Sequence, residues 1–286
     1  MSEQPRTPPG SAPSGRNADL ALRLASTAVL LPLALAAAWW GSWPLFLLAA
    51  AGSAIVFAEW AHVVGSSDGL MPRRADVVIG TLCVAAAAPV AGLLGAVAGC
   101  GVALAGIVVV GLLSRSAWLA GGVLYAAALG VSVAVLRADP LHGFQALLVL
   151  LVLVWGTDSF AFFAGRSLGG PKLWPRISPK KTWSGSIGGL IGGVAAALVA
   201  AFLTGVGVTL GLALLLVVLS LASQAGDLFE SAVKRHFHKK DSSAIIPGHG
   251  GMMDRVDGLV FAGALALVVG WLHAGADQIA AGVLMW

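Results

Sequence analysis

The sequence predicts an all-α, polytopic integral membrane protein of about nine transmembrane helices with a cytosolic N-terminus. Composition is the first reason. The 286 residues are 58% hydrophobic and only 10% charged, against about 25% charged in soluble domains. Periodicity is the second: the apolar residues fall in runs of about 20, the length that crosses the hydrocarbon core as a helix. The third is the distribution of Lys and Arg. Alternating the spans from a cytosolic N-terminus places 16 of the 17 basic residues on the cytosolic side and only Arg137 outside, which is the asymmetry that sets orientation. The net charge of +4 therefore bears on orientation and an anionic partner, not on nucleic acid.

The spans are expected at roughly 22–41, 44–64, 75–94, 97–114, 117–136, 144–165, 186–205, 207–229 and 256–274, with ends uncertain by about 2–4 residues. Residues 1–18, rich in Pro, Ser, Gly and Arg, read as a disordered cytosolic tail. No cleavable signal is expected, because Trp39-Trp40-Gly41-Ser42-Trp43 follows the first apolar run in place of a small-residue cleavage site. Residues 19–142 form spans one to five, and residues 143–286 form a catalytic region of spans six to nine with polar loops 166–185 and 230–255. Trp39, Trp40 and Trp43 mark an outer aromatic belt. Cys83 and Cys100 read as small buried hydrophobes. Gly188, Gly189, Gly192 and Gly193 form a small-residue face that serves either an internal contact or a homodimer. Residues 275–286 form a short tail at the interface.

Chemistry concentrates in Asp227–Asp257. These 31 residues hold five of the 13 acids, five of the 17 basic residues and three of the six His. Asp227, Ser231 and Lys234 share one helix face, as do Asp254 and Asp257. Pro247-Gly248-His249-Gly250-Gly251 between them is a tight turn. Three carboxylates at two helix ends, with oxygen donors only, suit Mg²⁺. Asp227, Asp254 and Asp257 are the candidate ligands, and Lys234 joins them as catalytic. Arg235, Lys240, Asp241, His249, Gly250, Gly251 and Arg255, with Ser231, are candidate substrate contacts. Loop 166–185 is basic and contains no acid. Ser178-Pro179 reads as a helix start, with Lys180, Lys181 and Thr182 in a first turn that attracts phosphate; Arg166 and Lys172 add charge. Glu59 and His62 either face the site or pair with each other. Asp158 and Arg166 either form a buried ion pair or belong to the site.

Ser231 to Asp257 resembles the signature of the phosphatidate cytidylyltransferase (CDP-diacylglycerol synthase) family over about 27 residues, and Asp158–Arg166 with Ile177–Thr182 resembles a second block of it. The resemblance implies that CTP and phosphatidic acid give CDP-diacylglycerol and pyrophosphate, with Mg²⁺ held around Asp227, Asp254 and Asp257 and a monovalent cation such as K⁺ beside it. It also implies a multi-pass enzyme of the inner (plasma) membrane, working from the cytosolic side on membrane lipid. Ser184 departs from the pattern, which has Glu there; Glu59 is a candidate replacement. Two other functions fit less well: a CTP-dependent polyprenol kinase, and an ion transporter relaying through Glu59, Asp158 and Asp227. Charge gathered at the cytosolic edge argues against transport.

Overall fold

The computed structural model describes residues 28–29, 32–65, 72–243 and 250–286. The expected tail 1–18, part of the first span and Pro247–His249 lie outside the described residues. Residues 32–40 are helical and are followed by α1 (Ser42–Val64), α2 (Arg74–Leu94), α3 (Ala96–Ser114), α4 (Ala117–Ala138) and α5 (Gly143–Leu168). A two-stranded hairpin, β1 (Lys172–Trp174) and β2 (Ser178–Thr182), leads to α6 (Trp183–Leu203), α7 (Leu210–His236), α8 (Met253–Ala274) and the short α9 (Ile279–Leu284). Among the described residues, eight helices, α1 to α8, are long and apolar enough to cross a membrane, so the chain is an all-α polytopic membrane protein. The expected span 22–41 lies partly outside the described residues.

Helix α4 is the central post, with Leu119, Val123, Ala126, Ala134 and Leu136 buried among its neighbours. Helices α2, α3 and α6 turn Leu82, Leu94, Leu104, Leu112, Ile191 and Phe202 outward. So wide an apolar surface would be a liability in water and is ordinary against lipid tails. Cys100 belongs to this outer surface and Cys83 is half-buried, which corrects the expectation that both are buried.

The helix ends fall into two groups. At one, Trp60 Nε1 donates to the Trp118 carbonyl at 2.8 Å, and Trp118 stacks on His236 at 5.0 Å. At the other, Arg137 donates to the carbonyls of Ala38 and Trp39 at 2.6 and 2.9 Å, and Trp39 meets Phe144 edge-on. Arg137 therefore closes the unsatisfied carbonyl end of the 32–40 helix. The C-terminal tail packs back onto the bundle. Ile279, Ala280, Val283 and Leu284 are buried, and Trp286 stacks on His273 at 4.1 Å.

The glycine face of α6 is used inside the chain. The buried residues of α6 are Gly185, Gly189, Gly193, Ala197 and Ala201, one every fourth position, which forms a ridge of minimal height along the helix. It packs against α5 so closely that a Cβ on Gly193 would stand 2.3 Å from Thr157 Oγ1. The helix start expected at Ser178-Pro179 is corrected: Ser178–Thr182 is strand, paired antiparallel with Lys172–Trp174. A residue before proline disfavours the α region, and Pro179, lacking an N–H, is tolerated in an edge strand. The cap is Thr182, whose Oγ1 accepts from Gly185 N at 3.1 Å.

Candidate active site

Helices α7 and α8 cross with almost no clearance at Gly226, where a Cβ would stand 2.4 Å from the Asp257 carbonyl oxygen. This contact sets Asp227 on α7 beside Asp257 on α8. The two carboxylates open into a cavity of about 540 Å³. Its walls are the C-terminal half of α5, the hairpin, the start of α6, the end of α7 and the start of α8. Five carboxylates line it, Asp158, Asp227, Glu230, Asp254 and Asp257, together with five cations, Arg166, Lys180, Lys181, Lys234 and Arg255.

The pairing among these groups is specific. Lys181 reaches from β2 to Asp227 at 2.5 Å, joining the basic loop to the acidic helix end. Lys234 bridges Glu230 at 2.6 Å and Asp254. Asp254 Oδ2 also accepts from the Ser242 hydroxyl at 2.8 Å and the Gly251 N–H at 3.1 Å. Asp257 Oδ1 accepts from Gly258 N at 2.7 Å. Among the described residues, Glu230 Oε1 is buried without a hydrogen-bond partner. Ser186 donates to Gln224 across α6 and α7, and Thr157 bonds Ser220 at 2.9 Å across α5 and α7.

The cavity thus gathers, of the residues expected from the sequence, Asp227, Asp254, Asp257, Lys234, Arg166, Lys180, Lys181, Thr182 and Arg255. Lys172 pairs with Thr182 and Ser178 with Trp174 in the hairpin, and both, with Ser231, Arg235, Lys240, Asp241, Gly250 and Gly251, lie off the cavity wall. His249 lies outside the described residues. The face of α7 that lines the cavity is Gln224, Asp227, Glu230 and Lys234. Steps of three, three and four follow the helix as well as the Asp227/Ser231/Lys234 set does, so Glu230 was open to recognition from its spacing. Arg166 does not pair with Asp158; its guanidinium sits 6.0 Å from the Phe162 ring centroid, and both side chains line the cavity.

Glu59 and Ser184 take other roles than those weighed from the sequence. Glu59 neither lines the cavity nor pairs with His62. It is 1% exposed, and it accepts from Met252 N and Met253 N at 2.9 and 2.7 Å. Ser184 donates to the Gly169 carbonyl and lies 3.0 Å from Thr182 Oγ1, which fastens the turn after α5 to the cap of α6. A carboxylate at 184 has no proton to offer that carbonyl.

Among the described residues, the donor set of the cavity, carboxylate and hydroxyl oxygens without sulfur or imidazole, has the chemistry that hard cations select. The unpartnered Glu230 oxygen is one such donor. Among the described residues, no three His, Cys, Asp or Glu side chains are already drawn together around a single point.

Residues 21–273 match the Cytidylyltransferase family. The chain is 38% identical over 267 residues to the phosphatidate cytidylyltransferase of Brucella abortus biovar 1 (strain 9-941), covering 92% of this chain and 97% of that protein. It is 39% identical over 263 residues to that of Brucella suis biovar 1 (strain 1330), covering 91% and 96%. The phosphatidate cytidylyltransferase of Bacillus subtilis (strain 168) is 43% identical over 121 residues, which are 42% of this chain and 45% of that protein. With a match running through nearly all its helices, including every element that walls the cavity, the chain belongs to the cytidylyltransferase family.

Proposed function

We propose that this protein transfers the cytidylyl group of CTP to phosphatidic acid, giving CDP-diacylglycerol and pyrophosphate. One observation carries the reading beyond the family match: a cavity between apolar helices whose wall, among the described residues, holds five carboxylates and five cations. Two polyanions must meet in this reaction, and the phosphatidate phosphate is itself the nucleophile. No strong general base is needed; the barrier is electrostatic. Lys180, Lys181, Arg166 and Arg255 neutralise the phosphates and orient them for in-line attack on the α-phosphorus. Asp227 and Asp257 would hold Mg²⁺, with Asp254 as the third ligand expected from the sequence and K⁺ alongside. When bound, Mg²⁺ supplies Lewis-acid stabilisation of the triphosphate and of the departing pyrophosphate. Phosphatidate enters sideways from the lipid, past Phe162 and Arg166.

The same proposal places the protein in the inner (plasma) membrane with the cavity on the cytosolic side. The Lys and Arg asymmetry supports that orientation. CTP and membrane lipid are its partners, and the packing of the glycine ridge against α5 leaves any homodimer to another surface.

The test is incubation of purified protein with labelled CTP, phosphatidate and Mg²⁺. A labelled CDP-lipid with stoichiometric pyrophosphate is expected; CDP with a phosphorylated lipid indicates a kinase instead. Asp257→Asn should remove Mg²⁺-dependent product formation, and near-parental turnover in that variant refutes the cation assignment.

A further inference from the structure

Helix α8 brings Asp254, Arg255 and Asp257 to the cavity, yet it has no cap of its own. Its N-cap position is Met252, which makes no side-chain capping bond. The first N–H groups of a helix need acceptors, and Gly250-Gly251-Met252-Met253 supplies none. The acceptor comes from α1. Glu59 Oε1 takes the N–H of Met252 at 2.9 Å and the Ser243 hydroxyl at 2.5 Å, and Oε2 takes the N–H of Met253 at 2.7 Å. A Cβ on Gly251 would stand 2.8 and 3.0 Å from the two Glu59 oxygens, so the backbone lies directly against the carboxylate.

Asp254 holds the same turn from within, through Gly251 N at 3.1 Å and Ser242 N at 3.3 Å. The Ser242 hydroxyl stands between the two acids, 2.8 Å from Asp254 Oδ2 and 3.3 Å from Glu59 Oε2. From Asp254 the connection continues through Lys234 to Glu230 on the cavity wall. Among the described residues, no Lys, Arg or His pairs with Glu59. Its charge is met by these donors and by the positive end of α8. A buried carboxylate in a membrane helix is costly. A Gln in its place would turn an NH₂ toward donors.

We propose that Glu59 is a positioning residue for the reaction: it fixes the first turn of α8 from the N-terminal half of the chain and thereby aims Asp254, Arg255 and Asp257 into the cavity. It touches no cavity space itself, so it acts through that turn. The proposal rests on the cytidylyl-transfer reading, which the turnover of the parent enzyme tests first and separately.

The experiment uses the full-length enzyme in detergent, assayed well below its melting temperature. Glu59→Gln is expected to lower kcat about 10–100-fold, the usual loss when the support of a catalytic carboxylate is removed. KM for CTP should stay within about twofold, since three of the four phosphate-binding cations, Arg166, Lys180 and Lys181, stand on α5 and the hairpin and do not depend on that turn. Glu59→Gln/Ser242→Ala should have a kcat within about threefold of Glu59→Gln alone, because the two side chains hold one turn. Parental kcat in Glu59→Gln overturns the proposal, as do losses that multiply in the double variant. Should Glu59→Gln fail to accumulate folded, Ser242→Ala and Ser243→Ala decide it. A fall in kcat at unchanged KM supports the role, and parental kcat in both refutes it.

Discussion

Lys234 shows how closely balanced the charges at this site are. It is nearly buried and carries one ammonium between Glu230 and Asp254. Removing one partner of a buried ion pair leaves an uncompensated charge, which costs about 3–5 kcal/mol. Lys234→Met is therefore expected to lower the free energy of unfolding by that amount, read from the denaturant midpoint and slope, and to abolish turnover. Lys234→Met/Glu230→Gln should regain part of the stability without the activity. Equal midpoints for Lys234→Met and the parent would show that Asp254 and Glu230 are held by other groups. At the same scale, the Ser184 hydroxyl is engaged on the Gly169 carbonyl.

At the scale of elements, two contacts shape the cavity. The ridge Gly185–Ala201 lets α6 lie against α5, so that Thr157 and Asp158 face the hairpin side of the site. Gly193→Val places new atoms where Thr157 Oγ1 already stands. It should cost about 1–3 kcal/mol in overpacking and lower the yield of folded protein, read by size-exclusion and thermal unfolding. The hairpin acts through charge. Lys181 spans from β2 to Asp227, and Lys181→Ala is expected to raise KM for CTP roughly tenfold, the loss of one charge-assisted hydrogen bond. An unchanged KM would make the lysine a purely structural partner of Asp227.

For the whole molecule, the two groups of helix ends should lie on opposite sides of the bilayer. In a background with Cys83 and Cys100 replaced by Ala, Gly207→Cys, between α6 and α7, should react with a membrane-impermeant maleimide in intact cells. Ser167→Cys, at the end of α5, should react only after permeabilisation. The reverse pattern would invert the orientation and move the cavity away from cytosolic CTP. The N-terminal helices also gain a place in the catalytic unit. They look generic in sequence, yet α1 caps α8, and α4 packs at the centre of the bundle.

Much of this was legible in the sequence. Lipid permits few backbone solutions, so composition and run length determined an all-α membrane protein, and 3.6-residue spacing put Asp227 with Lys234 and Asp254 with Asp257. Spacing alone could not decide between Glu230 and Ser231 on α7, because steps of three and four are both neighbours on a helix. Nor could it show that Ser178–Thr182 pairs as a strand, since the partner Lys172–Trp174 competes with a local cap that Ser178-Pro179 also satisfies. The role of Glu59 was beyond its reach for a plainer reason. The donors it serves lie 193 and 194 residues away. The sequence by itself determined which residues are polar enough to matter; only the tertiary structure decided which of them meet, because contacts between helices depend on close approach at Gly193, Gly226 and Gly251 and not on any local pattern.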